Sequence, residues 1–401
     1  MRILKVTQAY HPFWDQGGPV VKVQSIATRL ALRNHGVTVL TSDLGMEQRQ
    51  DASRIAQRTS WGWQGNSDGI ETIYLRRVAH YRALTLNPGL IGFCRSRLKE
   101  FQVAHVYGLY DLLGPAVSYF CGRRGVPYVV ETMGMFHPII RNLWLKRAYH
   151  RLLGARLIQR ASAVIATSEQ EKRELLEGGL GEEKIVIRRN GIEAPASFPQ
   201  PGSFRQVWKI PSESKLILFL GRLVAKKSPD LMLEAYANWR QSAHANGESV
   251  LVLAGPSETH GYLQRLQAMT GRLGIQAHVK FTGPLYDDAK WAAYRDADVF
   301  VLPSQNENFG NTAAEAMASG TPVIVTDRCG IAPFVSRQAG LVVPHGAQQL
   351  QEALQKVLGA DALRERVRSR CAEIAQELSW DEPVLQMEKL YSRLIADSSH
   401  R

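Results

Sequence analysis

The chain has 401 residues, 45% of them apolar and 21% charged, enough for two domains of ordinary size. No stretch approaches the roughly 18 uninterrupted apolar residues of a membrane-spanning helix, and Cys94, Cys121, Cys329 and Cys371 form no C-x-x-C pair, which argues against zinc-ribbon and disulfide-scaffold classes. The formal charge of +12 favours acidic partners, nucleotide phosphates or anionic lipid headgroups. Without a zinc-finger pattern, an RNP1-type aromatic motif or a basic zipper, no nucleic-acid partner is expected.

The opening "MRILKVTQAYHPF" reads as a short buried strand running into a loop that carries His11, rather than as a secretory signal, so a cytoplasmic location is expected. Gly17 and Gly18 follow, between strand and helix, where a backbone without Cβ can come close to a phosphate or sugar. The G-x-G-x-x-G dinucleotide pattern is missing, which disfavours a nicotinamide enzyme. Strand-like runs "GVTVLTS" (36–42), "HVYGLY" (105–110), "PYVVET" (127–132) and "ASAVIATS" (161–168) alternate with helical patterns, the rhythm of βαβ units on a parallel sheet. A second loop, "ETMGMFHP", brings Met133, Gly134 and His137 after one of these strands.

In "WLKRAYHRLL" (144–153), helical spacing puts Trp144, Leu145, Ala148, Tyr149, Leu152 and Leu153 on one half and Lys146, Arg147, His150 and Arg151 on the other. Such a helix either packs its apolar half on the sheet or lies in an anionic headgroup layer, which would attach the protein peripherally to the inner face of a membrane.

Residues 194–214, rich in proline and serine and without periodicity, read as a linker between a domain at 1–193 and a second at 215–379. The alternation restarts with "KLILFLGRL" (215–223), "SVLVLAG" (249–255), "HVKFTG" (278–283), "DVFVLPS" (298–304) and "TPVIVTD" (321–327). In doubly wound sheets, ligands bind beyond the carboxyl ends of strands. Two segments there carry chemistry. "GRLVAKKS" (221–228) offers Gly221, Arg222 and Lys227, a guanidinium fork and a point charge suited to a diphosphate unless they are merely solvated. It is not a P-loop, because residue 226 is Lys where that motif needs Gly.

"PSQNENFGNTAAEAMASG" (303–320) places Glu307 on a loop and Glu315 in the first turn of a helix. Ionised carboxylates suit sugar and ribose hydroxyls, and the helix start near Gly310, Asn311 and Thr312 suits phosphate. Alternatively, Thr312 and Glu315 form a capping box. Asp296 and Asp298 resemble a D-x-D metal motif but read as ordinary polar residues at element ends.

With these segments in order, together with "RRNGIE" (188–193) and the closing "SWDEPVLQMEKLYSRL", the chain resembles family 4 glycosyltransferases nearly end to end. The resemblance implies a GT-B fold, two Rossmann-like domains facing each other across a cleft, with the segment 380–401 crossing back onto the first. It implies retaining transfer of a sugar from a UDP- or GDP-linked donor to a hydroxyl of a glycan, lipid-linked or small-molecule acceptor, with no cofactor and no metal. Arg222, Lys227 and Glu307 would be catalytic, with the two cations on the diphosphate. Glu315 would bind the ribose, Leu285 in "TGPLYDD" would border the base, and Glu307 with the backbone of Asn308, Phe309, Gly310 and Asn311 would contact the transferred sugar, while the helix start at Thr312 would face the donor phosphate. Gly17 and Gly18 would border the phosphates, and His11, Met133, Gly134 and His137 the acceptor side. One departure stands out: where many members carry a histidine after the "PYVV" strand, this chain has Met133, with His137 four residues on. A non-catalytic sugar-nucleotide binder or an epimerase on the same architecture are the competing expectations.

Overall fold

The computed structural model describes residues 1–13, 18–46, 49, 51–81, 84–136, 143–242, 248–257 and 259–399, so Gly17 and His137 lie outside the described residues. The chain divides into two compact units, Met1–Arg189 with Trp380–Arg401, and Asn190–Ser379.

The first unit contains β1 (Arg2–Val6), β2 (Gly36–Ser42), β3 (Ala56–Thr59), β4 (Gly62–Ser67), β5 (Ile70–Leu75), the small hairpin β6 (Ala79–Tyr81) and β7 (Leu84–Leu86), β8 (Val103–Tyr107), β9 (Tyr128–Glu131), β10 (Ala163–Ala166) and β11 (Ile185–Ile187). Its large sheet runs β11-β10-β9-β8-β1-β2-β5-β4-β3. Pairing is parallel from β11 across to β5 and antiparallel in β3–β4–β5. The strand order reverses between β1 and β8. All of β8 and β9 is buried, as expected for strands covered by helices on both faces.

The helix Asp381–Ser399 completes this unit: Trp380, Val384, Met387, Leu390 and Tyr391 are buried in one cluster with Ile3, Ile26, Val39 and Val103. The Tyr391 hydroxyl also meets His105 Nδ1 at 2.6 Å.

The second unit contains β12 (Lys215–Leu220), β13 (Ser249–Ala254), β14 (Val279–Gly283), β15 (Val299–Leu302), β16 (Val323–Thr326) and β17 (Gly340–Val343). They pair in parallel in the order β14-β13-β12-β15-β16-β17. In positions along the unit this is 3-2-1-4-5-6, the Rossmann order, whose crevice opens between the first and fourth strands, here β12 and β15. Met232, Leu233, Tyr236, Leu266, Leu350 and Leu354 fill one face of the sheet, and Trp291, Tyr294, Ala313, Met317 and Ile374 the other.

The segment 194–214 is not the spacer that its composition suggested. It contains the helix Ser203–Val207, and Phe204 and Ile210 are buried in the core of the second unit. Prolines erase periodicity from the sequence, yet Asp296 caps this helix, accepting from the backbone N–H of Gly202, Phe204 and Arg205 at 2.6, 2.9 and 3.1 Å. Tertiary anchors thus order a stretch whose local pattern predicts none.

The basic segment at 144–153 also differs from the simple amphipathic picture. Helix Leu143–Tyr149 passes through a π turn, His150–Gly154, into Ala155–Gln159. Leu145, Tyr149 and Leu153 are partly covered, but Trp144 is 70% and Leu152 64% exposed. The Tyr149 hydroxyl donates to the Asp111 carbonyl at 2.7 Å. Trp144, Arg147, Ala148, Arg151 and Leu152 therefore form one exposed stripe at the i, i+3, i+4, i+7, i+8 spacing of a helix face. Among the described residues no helix is long and apolar enough to cross a membrane.

Candidate active site

Beyond β12 the chain turns at Gly221, whose N–H continues the ladder to the Ala254 carbonyl at 2.9 Å. The loop after β13 presses against it so closely that a Cβ at Gly255 (φ +139°) would lie 1.9 Å from the Gly221 carbonyl oxygen. Gly255 is therefore glycine for two reasons, its backbone conformation and this approach. A 3₁₀ turn, Ala225–Lys227, then folds the lysine back over Gly221: a Cβ there would sit 3.2 Å from Lys227 Cδ. Arg222, beside it, is exposed.

Beyond β15, residues 303–310 form a loop stitched on both sides. Gln305 N–H donates to the Lys226 carbonyl at 2.9 Å, and Glu307 N–H to the Arg328 carbonyl at 3.0 Å. In return Gly330 N–H reaches the Glu307 carbonyl at 2.9 Å and Ile331 N–H the Phe309 carbonyl at 2.7 Å. Buried Phe309 anchors the loop. Gly310, at φ +110°, turns it into the helix Asn311–Ala318.

This scaffold aims Glu307 at Lys227, whose Nζ donates to Oε2 at 2.7 Å. Burial pushes the Glu307 carboxyl up, but Lys227, then Lys226 and Arg222, outweigh it and hold the group below the usual glutamate range. The two segments singled out in the sequence thus meet at the switch point of the second sheet, as an ionised carboxylate facing a cluster of cations.

Glu315 lies one turn later than expected, in the second turn of its helix, and does not form a capping box. The N-cap is Gly310 in the left-handed conformation, and the Thr312 hydroxyl is buried without a hydrogen-bond partner among the described residues. The Glu315 carboxylate instead accepts from Lys290 Nζ and from the Tyr294 hydroxyl, both at 2.9 Å. Lys290 and Tyr294 carried no motif in the sequence; only the contact reveals them. Asn311 Oδ1 accepts from Asn190 Nδ2 at 3.1 Å, which ties the "RRNGIE" stretch to the same helix start. Leu285 sits half-buried on the loop after β14, packed against the core.

Asp296 and Asp298 are structural. Beyond the Asp296 cap described above, Asp298 accepts from Leu216 N–H at 2.8 Å, from Arg205 Nη2 at 2.9 Å, and from Arg364.

In the first unit the described candidate residues follow β1 and β9, the strands on either side of β8. His11 is partly buried on the loop after β1, and burial, then the nearby Arg49, lower its pKa. Gly18 opens the helix Gly18–Leu32, and among the described residues nothing outside its own neighbours and helix lies within 4 Å of where a Cβ would stand. Met133 and Gly134 both adopt positive φ, +54° and +70°. Their turn is held by Glu171, which is fully buried. One oxygen accepts from Thr132 Oγ1 and Gly134 N–H at 2.6 and 2.7 Å, the other from Thr167 N–H and Oγ1 at 2.8 and 2.9 Å.

Directly before this turn, Glu131 is fully buried and paired with Lys22 and Arg188, with His105 Nε2 at 3.7 Å. Lys5, nearby, donates to the Tyr107 hydroxyl at 2.7 Å. Its pKa is brought down to about 7 by burial and then Arg188, against the opposing pull of Glu131. None of these buried charges was singled out from the sequence.

Two doubly wound units, the second with acid and cations gathered at its switch point, make a GT-B fold, and solved structures share it. The sucrose-phosphate synthase from Thermosynechococcus elongatus is similar with a TM-score of 0.74 at 20% identity over 99% of both chains. Anabaena HepE, solved in complex with UDP and glucose, is similar with a TM-score of 0.75 at 18% identity, over 98% of this chain and 100% of that one. The chain belongs to the group 1 glycosyl transferases: residues 202–374 match the family described as "Glycosyl transferases group 1", and residues 17–191 match the "Glycosyl transferase 4-like domain". It is 31% identical to the D-inositol 3-phosphate glycosyltransferase of Jonesia denitrificans, over 94% of this chain and 92% of the relative. It is 32% identical to that of Corynebacterium jeikeium, over 95% and 92%.

Proposed function

We propose that the chain transfers a sugar, with retention of anomeric configuration, from a nucleoside-diphosphate sugar to a hydroxyl of a glycan, lipid-linked or small-molecule acceptor, and needs no metal. The observation that carries this reading is the Lys227–Glu307 pair at the switch point, with Arg222 beside it. Lys227 and Arg222 would meet the diphosphate, Glu315 the ribose and Glu307 the transferred sugar.

As the bond from anomeric carbon to phosphate oxygen breaks, the cations and the helix start at Asn311 stabilise the charge growing on the diphosphate. The acceptor oxygen bonds to the same face of the anomeric carbon, and its proton passes to the departing phosphate oxygen. Glu307, held ionised by its lysine, serves as a hydrogen-bond acceptor for sugar hydroxyls rather than as the proton carrier. Metal independence is supported by the Asp296–Asp298 motif, whose oxygens are engaged by backbone N–H and guanidinium groups. The UDP in the HepE structure makes UDP the first base to try, with GDP beside it.

Isothermal titration with UDP and GDP tests the donor class, and an NMR assignment of the product's anomeric centre tests retention. An inverted product would refute the stereochemistry. Activity lost in EDTA and restored by Mn²⁺ would refute metal independence.

The exposed stripe of Trp144, Arg147, Ala148, Arg151 and Leu152 supports peripheral attachment to an anionic membrane, at the inner face of a cytoplasmic bilayer, where lipid-linked acceptors are presented. Flotation with phosphatidylglycerol vesicles should carry the protein up and lose it on charge reversal at Arg147 and Arg151. A protein that stays unbound at low salt refutes attachment.

A further inference from the structure

A carboxylate recognises a ribose diol well only if its oxygens are held in direction, because a freely turning side chain gives up that order each time it binds. Glu315 is held by two residues four positions apart on the helix Asp287–Asp296, so that one helix face serves both of its oxygens: Lys290 on Oε1 and Tyr294 on Oε2. The Tyr294 ring is fully buried, set edge-on against Trp291 at 5.9 Å and Phe300 at 5.6 Å. Burial, then the adjacent carboxylate, push its phenol far above the ordinary range, so it stays a donor. The Lys290 ammonium is steadied 4.5 Å from the centre of the Trp291 ring. Each carboxylate oxygen can accept a further hydrogen bond, and the Glu315 side chain keeps 17% of its surface exposed, open to a ligand.

We propose that Tyr294 and Lys290 are positioning residues for nucleotide recognition: Tyr294 fixes the direction in which Glu315 meets the ribose hydroxyls, and Lys290 cancels the Glu315 charge beside the incoming diphosphate. The inference rests on the nucleotide-sugar reading above. A phenol that merely filled the core would contribute stability without regard to which sugar the nucleotide carries. A phenol that orients the carboxylate governs the preference for ribose over deoxyribose.

The test is calorimetric titration of the full chain with UDP and GDP, then with the 2′-deoxy and 3′-deoxy forms of whichever binds tighter. Wild type is expected to favour the ribonucleotide by about tenfold or more, as a hydrogen bond to a charged group predicts. In Tyr294→Phe, which keeps the ring and its packing, that preference should shrink to about twofold or threefold. In Lys290→Met the ribo and deoxy forms should weaken alike, by about fivefold at low salt and less at high salt, with binding of the free nucleoside unchanged. Tyr294→Phe with the full ribose preference, or Lys290→Met with unaltered nucleotide affinity, overturns the proposal even where the melting temperature falls. Wild type that binds a nucleotide without any ribose preference also overturns it while sparing the nucleotide reading. Wild type that binds neither UDP nor GDP overturns both.

Discussion

Lys227 and Glu307 neutralise each other across 2.7 Å, with 17% and 19% of their side chains exposed, and a donor diphosphate would compete for the lysine. Removing either partner therefore has different consequences. Lys227→Ala strips a counter-charge from the leaving group and leaves the carboxylate facing it, so nucleotide affinity and turnover should both fall, turnover by about 10²-fold or more. Glu307→Gln keeps the shape and loses the charge that competes for the lysine, so nucleotide affinity should hold or rise while sugar transfer drops. Titration calorimetry paired with initial rates separates the two, and equal loss of nucleotide affinity in both variants would contradict this division of labour between lysine and glutamate.

The pair also carries a pH signature. Because the folded Glu307 pKa is depressed, its contribution to stability is fully present above the ordinary glutamate value, about 4.3, and is lost as pH falls through the folded value. Melting temperatures measured between about pH 6 and pH 3 should accordingly fall more gently in Glu307→Gln than in wild type below that value.

At the scale of elements, the cap that Asp296 places on the helix Ser203–Val207 should be measurable without touching the site. Asp296→Ala leaves three N–H groups unpaired and should cost about 1–2 kcal/mol in urea unfolding, with UDP affinity unchanged. A loss of nucleotide affinity in that variant would contradict its purely structural role. Five strands of each sheet, β1, β2, β8, β9 and β10 in the first and β12 to β16 in the second, were legible because apolar, β-branched runs that are mostly buried stand out, and β2 spans the residues 36–42 that the pattern picked out; β3, β4, β5, β11 and β17, shorter, more polar or more exposed on the whole, were not. The loop position of Glu307 was legible too, since it follows from a strand end and a Phe-Gly turn. What sequence could not carry is partnership. Lys5, Glu131 and Arg188 look like solvated charges until the fold buries them together. Tyr294 looks like core until its hydroxyl is found on Glu315. Trp144 and Leu152 look like the buried half of a helix, yet the sheet is covered instead by Leu157 and Ile158 of the next turns.

At the scale of the whole molecule, the two units have separate cores, so their unfolding can be followed separately. Trp380→Ala removes a buried indole packed with Met387 and Tyr391 in the first unit, and should lower the stability of that unit by about 3–5 kcal/mol. Scanning calorimetry should then show one transition moved down and the other in place. A uniform shift of a single transition would mean that the units unfold as one.

The return of the helix Asp381–Ser399 to the first unit sets the order in which the protein can be made. On the ribosome the strands β1, β2 and β8 emerge well before the helix Asp381–Ser399, so the apolar surface around Ile3, Val39 and Val103 lacks part of its cover until that helix has been translated. The second unit, continuous from Asn190 to Ser379, can close its core while synthesis is still under way. The unit synthesised first is thus the last to be finished, and for that interval its greasy surface is what nascent-chain chaperones would meet.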